Sequence, residues 1–342
     1  MRAELLARVK QADHSPLIDG DTAVFIHRGA ARRVEIVGDF TGWRPRRLAL
    51  RKVRNHDIRY FEAQFPRAAR IEYKFIAGRR WIEDSLNSRR VDNGLGGTNS
   101  YFTMPGYRES PTSSAFEGGP HLERLIVQNS TPDSRRVVTV YLPPGYTTSG
   151  EDFPVLYLQD GTEYIARGFA AAIAERSIKR GEVRPFIIVF VDPRDRMREY
   201  WASDRFADWI ARDVVPVIDG RFRTIRDRDG RALLGASLGG VASIWTAIKY
   251  PNLFGRVGGQ SSSFWIDRGR VINSLAELPG PGSLPFRFYF DVGRIEGADT
   301  HRRVADTLNR KGYPLTYREA WTGHNWSSWR DRLAEAYQAL WQ

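Results

Sequence analysis

Residues Arg231 to Gly240 read Arg-Ala-Leu-Leu-Gly-Ala-Ser-Leu-Gly-Gly, and no other stretch limits the fold so tightly. Ala232-Leu233-Leu234 is an apolar run of strand length. Gly235 and Gly239 bracket Ser237 in the pattern G-x-S-x-G. From Leu238 onward Ala242, Ile244, Trp245, Ala247 and Ile248 fall at helical spacing until Tyr250-Pro251. A buried strand that turns at once into a helix needs a sheet covered by helices. A serine on so sharp a turn takes a strained backbone and pushes its hydroxyl out above the sheet, and the glycines leave room for neighbouring backbone. The helix that follows aims its first N–H groups at the same spot, which suits a developing negative charge.

The rest of the chain divides in character. Ala23–His27, Val34–Phe40, Tyr60–Phe65, Ile71–Ile76 and Tyr101–Thr103 are short strand patterns split by Gly, Asp and Asn turns, as in a β-sandwich of about a hundred residues. Residues 105–120, rich in Pro, Ser and Gly, read as a linker in which Tyr107 and Phe116 are candidate anchors. Beyond it, apolar runs at Val155–Leu158, Phe186–Val191, Arg256–Ser261, Phe286–Val292 and Leu315–Ala320 alternate with helical stretches, which predicts parallel strands covered on both faces. The expected fold is α/β, a doubly wound and mostly parallel sheet preceded by an all-β immunoglobulin-like sandwich. The expected domains are 1–104 and 121–342. Ligands of such sheets bind at the carboxyl ends of the strands, so Asp160-Gly161, the Asp192 loop and Ser237 are expected along one rim.

Composition narrows the partners. Net charge is +12, and 46 of the 52 basic residues are arginine. They are spread along the chain rather than clustered on one helix or tail, which argues against a nucleic-acid partner and leaves an anionic small molecule as the sharper reading. The absence of cysteine excludes disulfides and thiolate metal sites; neither a metal nor a cofactor is expected. Met1 to Lys10 lacks the apolar core of a signal peptide, and no run approaches the roughly 18 apolar residues of a membrane helix. A cytoplasmic address and no membrane partner are therefore expected. Nothing in the sequence specifies an oligomeric state.

A serine needs a base, and the base needs an orienting acid. Of six histidines only His324 follows a strand end on the rim, with Gly323 before it. Asp291, Glu296 and Asp299 are the acid candidates. Asp291 lies inside a strand and Asp299 is placed to cap the next helix, so Glu296 is preferred. The oxyanion donors expected are the N–H of Leu238 and one from Gly161-Thr162.

Two resemblances attach to these residues. Val34–Trp43, Glu72–Gly78, Asp84–Asn87 and Gly96–Ser100 resemble the early-set immunoglobulin-like modules that precede amylase-type enzymes and some esterases. That resemblance implies Trp43 in the sandwich core and Trp81 exposed, with glucan binding a property of some relatives. Leu156–Gly161, Arg196–Tyr200, Gly235–Gly240, Gln260–Trp265, Gly293–Glu296 and Gly323–Trp326, in that order, resemble the enterochelin esterase branch of the α/β-hydrolases, which neighbours the feruloyl and acetyl-xylan esterases. It implies a Ser237-Glu296-His324 triad. It also implies a substrate cavity touched by Asp160, Arg196, Arg198, Trp265 and Asn325, and a small-molecule ester substrate, an anionic ferric siderophore among the options. Where the family often has Gly-His-Asp, this chain has Gly323-His324-Asn325.

Overall fold

Ala23-Val24-Phe25-Ile26 is apolar without alternation because both faces of its strand are covered. In the computed structural model, which describes residues 2–45, 48–109, 120–128 and 135–341, Ala23 and Phe25 point into one core and Val24 and Ile26 into another. The described residues form two compact units. The first is Met1–Glu109 with Gly293–Gly297 and Glu319–Ser328; the second is Ser110–Val292 with Ala298–Arg318 and Trp329–Gln342.

The first unit opens with helix α1 (Arg2–Gln11) and holds strands β1 (Leu17–Asp19), β2 (Thr22–Arg28), β3 (Val34–Gly38), β4 (Arg51–Lys52), β5 (Ile58–Gln64), β6 (Arg70–Ala77), β7 (Arg80–Ile82), β8 (Arg90–Asp92) and β9 (Thr98–Thr103). They form two antiparallel sheets, β1-β2-β5-β4 and β3-β6-β9-β8, with β7 paired to β6. Phe25 sits among Tyr73, Phe102 and Phe65, all within edge-to-face range; burying one such ring is worth about 1.5–3 kcal/mol. Ile295 and Trp321 pack on this same core. Trp81 is exposed. Trp43 is only half-buried, a departure from the core position expected, because its indole N–H reaches Asp39 Oδ1 at 3.1 Å instead of being enclosed. Strands β1, β4, β7 and β8 escaped sequence reading because two or three residues carry no periodicity. The expected linker falls for residues 110–119, Phe116 included, outside the described residues.

The second unit is built on an eight-stranded sheet. In chain order its strands are β10 (His121–Gln128), β11 (Arg135–Leu142), β12 (Val155–Gln159), β13 (Ile187–Val191), β14 (Arg231–Leu234), β15 (Arg256–Gln260), β16 (Arg287–Gly293) and β17 (Leu315–Ala320). The order across the sheet is β10-β11-β13-β12-β14-β15-β16-β17. Pairs from β13 to β16 are parallel, while β10 and β11 are antiparallel at one edge. Between the strands run α2 (Gly161–Ala166), α3 (Ala170–Lys179), α4 (Arg196–Glu199), α5 (Asp204–Trp209), α6 (Val215–Arg221), α7 (Leu238–Lys249), α8 (Arg270–Glu277) and α9 (Asp299–Arg310). The chain closes with α10 (Trp326–Arg330) and α11 (Leu333–Trp341).

Between β12 and β13 the chain forms two helices, α2 and α3, with a bend between them. A Cβ at Gly168 would lie 2.8 Å from the Tyr164 carbonyl oxygen, and Phe169 takes a left-handed φ of 48°, so the backbone bends between α2 and α3. The chain leaves β12 toward β13 on one side and returns to β14 on the other. Such a reversal opens a crevice at the strand ends where α/β proteins bind ligands. The residues just past those two strands are Asp160 and Gly235. No helix among the described residues is long and apolar enough to cross a membrane.

Candidate active site

Ser237 stands at φ 55°, ψ −120°, a conformation costing on the order of 1–3 kcal/mol. Its surroundings hold it there. A Cβ on Gly235 would lie 2.4 Å from the carbonyl of Gly239, and one on Gly240 would lie 2.4 Å from Ser262 Oγ. The close approach of strand end to helix start therefore requires glycine. The Ser237 N–H donates to the Gln260 carbonyl at 2.8 Å, the Ser263 N–H donates to the Ser237 carbonyl at 3.0 Å, and the two hydroxyls of Ser237 and Ser263 meet at 3.0 Å. Ser263 lies within the Gln260–Trp265 stretch, but no sequence rule pointed to its hydroxyl. As first residues of α7 and α2, Leu238 and Gly161 carry N–H groups that their own helices cannot satisfy. Thr162 is different. Its N–H donates to Asp192 Oδ1 at 3.0 Å and its hydroxyl to Oδ2 at 2.6 Å, so the Thr162 N–H is already engaged, contrary to the expectation of Thr162 as an oxyanion donor.

Asp160 and Arg196, both expected at the substrate, are joined to each other. Arg196 Nε and Nη2 reach Asp160 Oδ1 and Oδ2 at 2.9 and 2.8 Å. The carboxylate is buried, the Asp160 N–H donates to the buried Tyr200 hydroxyl at 2.9 Å, and a Cβ on Gly239 would come within 3.1 Å of Asp160 Oδ2. Burial pushes the Asp160 carboxyl above the usual range, and the Arg196 hydrogen bonds oppose that. This bidentate pair supports the elbow from below, which corrects Asp160 as a substrate contact. Arg196→Ala would leave a buried carboxylate without its partner. Because the guanidinium is partly exposed, the expected loss is about 1–3 kcal/mol, read as a fall of several degrees in a thermal melt; an unchanged melt would show that the pair carries no stability. Arg198 is 87% exposed and lies 3.8 Å from Asp195, a weak surface contact. Trp265 is 72% exposed and meets Trp201 edge to face at 5.8 Å.

In the first unit the other two candidates form a pair. His324 Nδ1 and Glu296 Oε2 are 2.5 Å apart. Glu296 Oε1 accepts the Gly293 N–H at 2.8 Å, which leaves the carboxylate one orientation. With the proton on Nδ1 the ring donates to Glu296, and Nε2 is left as the basic nitrogen. Asp291, inside β16, is fully buried and bound instead to Arg332, Gln260 and Tyr289 at 2.7, 2.9 and 2.8 Å. Asp299 lies in the first turn of α9, exposed, with Arg302 at 3.0 Å. Asn325 does not stand open to a substrate, contrary to expectation: its Oδ1 accepts the Ser328 N–H at 3.0 Å and caps α10, and its Nδ2 faces Asp39 Oδ2 at 3.3 Å.

A strained serine on the elbow of a mixed sheet whose order reverses beside it is the signature of one hydrolase architecture, and comparison with known proteins gives the family. The model of the Esterase family, described as "Putative esterase", matches residues 129–340. The chain belongs to this family. It is a carboxylic ester hydrolase of α/β-hydrolase fold. The crystal structure of the enterobactin esterase FES from Shigella flexneri, in the presence of enterobactin, superposes with a TM-score of 0.78 over 96% of each chain at 19% identity. Iron(III) enterobactin esterase of Dickeya dadantii is 23% identical over 76% of this chain and 65% of its own length. Endo-1,4-beta-xylanase/feruloyl esterase of Xylanibacter ruminicola is 25% identical over 64% of this chain, which spans only 31% of that larger protein.

Proposed function

We propose that this esterase works through Ser237 as nucleophile, His324 as general base and Glu296 as the orienting acid. The observation that carries the reading is the 2.5 Å contact between His324 Nδ1 and Glu296, in a chain whose serine precedes both, the order of this fold. In this reading Nε2 accepts the Ser237 proton as Oγ attacks the ester carbonyl, and later returns it to the leaving alkoxide. Glu296 fixes the tautomer and stabilises the imidazolium. The Leu238 and Gly161 N–H groups receive the tetrahedral oxyanion; a single such donor is worth about 10²–10³ in kcat.

The substrate proposed is a catecholate siderophore lactone, in its ferric or free form. The net charge of +12 suits an anion, the exposed Trp265 beside Trp201 offers faces for aromatic rings, and the Dickeya relative bears that activity in its name. Arg198 is the guanidinium proposed to meet the anion, Arg196 being engaged with Asp160. Residues 1–104 are proposed as an early-set β-sandwich module. The Xylanibacter relative supports a second reading, a feruloyl esterase. Hydrolysis of a ferric catecholate lactone, a feruloyl ester and 4-nitrophenyl acetate, compared side by side by kcat/KM, separates the two. A lactone preference that Arg198→Ala weakens while the neutral acetate is unaffected supports the siderophore reading. A feruloyl preference removes it.

A further inference from the structure

We infer that Asp39, in the sandwich of the first unit, is a positioning residue for the imidazole of His324, holding the residues on both sides of it. The inference rests on the triad reading above. Asp39 follows β3 in a single 3-10 turn and is buried. Its carboxyl receives three donors: the Glu72 N–H at 2.8 Å, the Trp43 indole N–H at 3.1 Å and Asn325 Nδ2 at 3.3 Å. Because Asn325 Oδ1 is committed to the Ser328 N–H, the amide has one orientation, and its NH2 faces Asp39. On the other side of the histidine, a Cβ on Gly323 would lie 2.2 Å from Asp39 Cγ. Gly323 is therefore required by close approach, since any side chain would displace either the carboxyl or the loop. Both chain neighbours of His324 thus lean on one buried group.

The support beneath is itself fastened. Arg70 donates its N–H to the Trp321 carbonyl at 3.0 Å and its guanidinium to Glu72 Oε1 at 2.8 Å, and Asn99 donates to Glu72 Oε2 at 2.8 Å. Nothing in the mechanism requires these groups to touch substrate.

The charged groups facing Asp39 are Glu72 and Arg70. Burial first, and then Glu72, push the Asp39 carboxyl up to about 7, with the donor groups and Arg70 opposing. Its pKa in the unfolded chain is near the ordinary 3.8. The folded state therefore gains from proton binding below that value, and this gain is lost as pH rises through about 7. The ionised form, which accepts all three donors, costs the fold some stability. The acidic limb of kcat should accordingly carry an ionisation of Asp39 near 7.

The test uses the full chain with Asp39→Asn, Asn325→Asp, the two combined, and His324→Ala. In Asp39→Asn an amide NH2 confronts one of the three donors. Its kcat on 4-nitrophenyl acetate should fall roughly 10- to 100-fold, the scale of a displaced catalytic group, with KM nearly unchanged and a melting temperature no lower than wild type. The ionisation near 7 should disappear from its acidic limb. In the double variant the amide and the carboxylate exchange places, so a donor again faces an acceptor, and most of the lost kcat should return. Should Asp39→Asn fail to fold, Asn325→Asp alone decides. Two facing carboxylates should depress kcat above pH 7 and relieve it below, and a pH-independent effect overturns the inference. Wild-type kcat in Asp39→Asn with His324→Ala inactive removes the role of Asp39 and leaves the triad standing. Full activity of His324→Ala removes the triad reading itself.

Discussion

Ser237→Ala is expected to lose on the order of 10⁴-fold or more in kcat on any ester, with circular dichroism and melting close to wild type. The two halves of this expectation have separate causes. The activity falls because no other hydroxyl stands on the elbow: Ser263 Oγ lies 3.0 Å away but follows β15, not the turn into α7. The fold survives because alanine keeps the Cβ that serine already has at φ 55°, so the backbone strain is the same. The hydroxyl contact with Ser263 that vanishes is worth about 0.5–1.5 kcal/mol. Ordinary turnover by a folded Ser237→Ala protein would refute the nucleophile and, with it, the mechanism.

The second large effect separates two acids that are five residues apart. Glu296→Ala should lower kcat by about 10⁴, the scale seen when an orienting triad carboxylate is removed, while the Ile295 anchor keeps the loop in place on the sandwich core. Asp291→Ala should behave in the opposite way. Asp291 carries the Arg332 guanidinium and the Gln260 amide in a buried network. Removing it strands a buried cation, at about 3–5 kcal/mol, so the melting temperature should drop by many degrees while the surviving folded fraction turns over. Kinetics and thermal melts on both variants check this. A Glu296→Ala protein with wild-type kcat, or an Asp291→Ala protein that is stable but inactive, would reverse the assignment of the two carboxylates.

The elbow was legible in the sequence because its constraint is local. An apolar strand, two glycines at fixed offsets and a helical pattern leave one backbone path, and Ser237 sits on it. The alternation of apolar runs with helical stretches likewise specified a covered, mostly parallel sheet, since strands buried on both faces must be apolar throughout. Glu296 and His324 could be singled out because strand ends and glycine turns are themselves sequence signals. Partnership between side chains far apart in the chain was not legible. Arg196 was expected at a substrate and is instead bidentate on Asp160, 36 residues away. The Thr162 N–H, 30 residues from Asp192, is occupied as a donor, and Asn325 turns to Asp39 across 286 residues. A charged or amide side chain looks the same in sequence whether it faces solvent, a ligand or another residue. Only burial decides which, because a polar group removed from water must find a partner wherever the fold supplies one. Strand and helix are set by neighbours in the chain; the company a polar side chain keeps is set by tertiary packing.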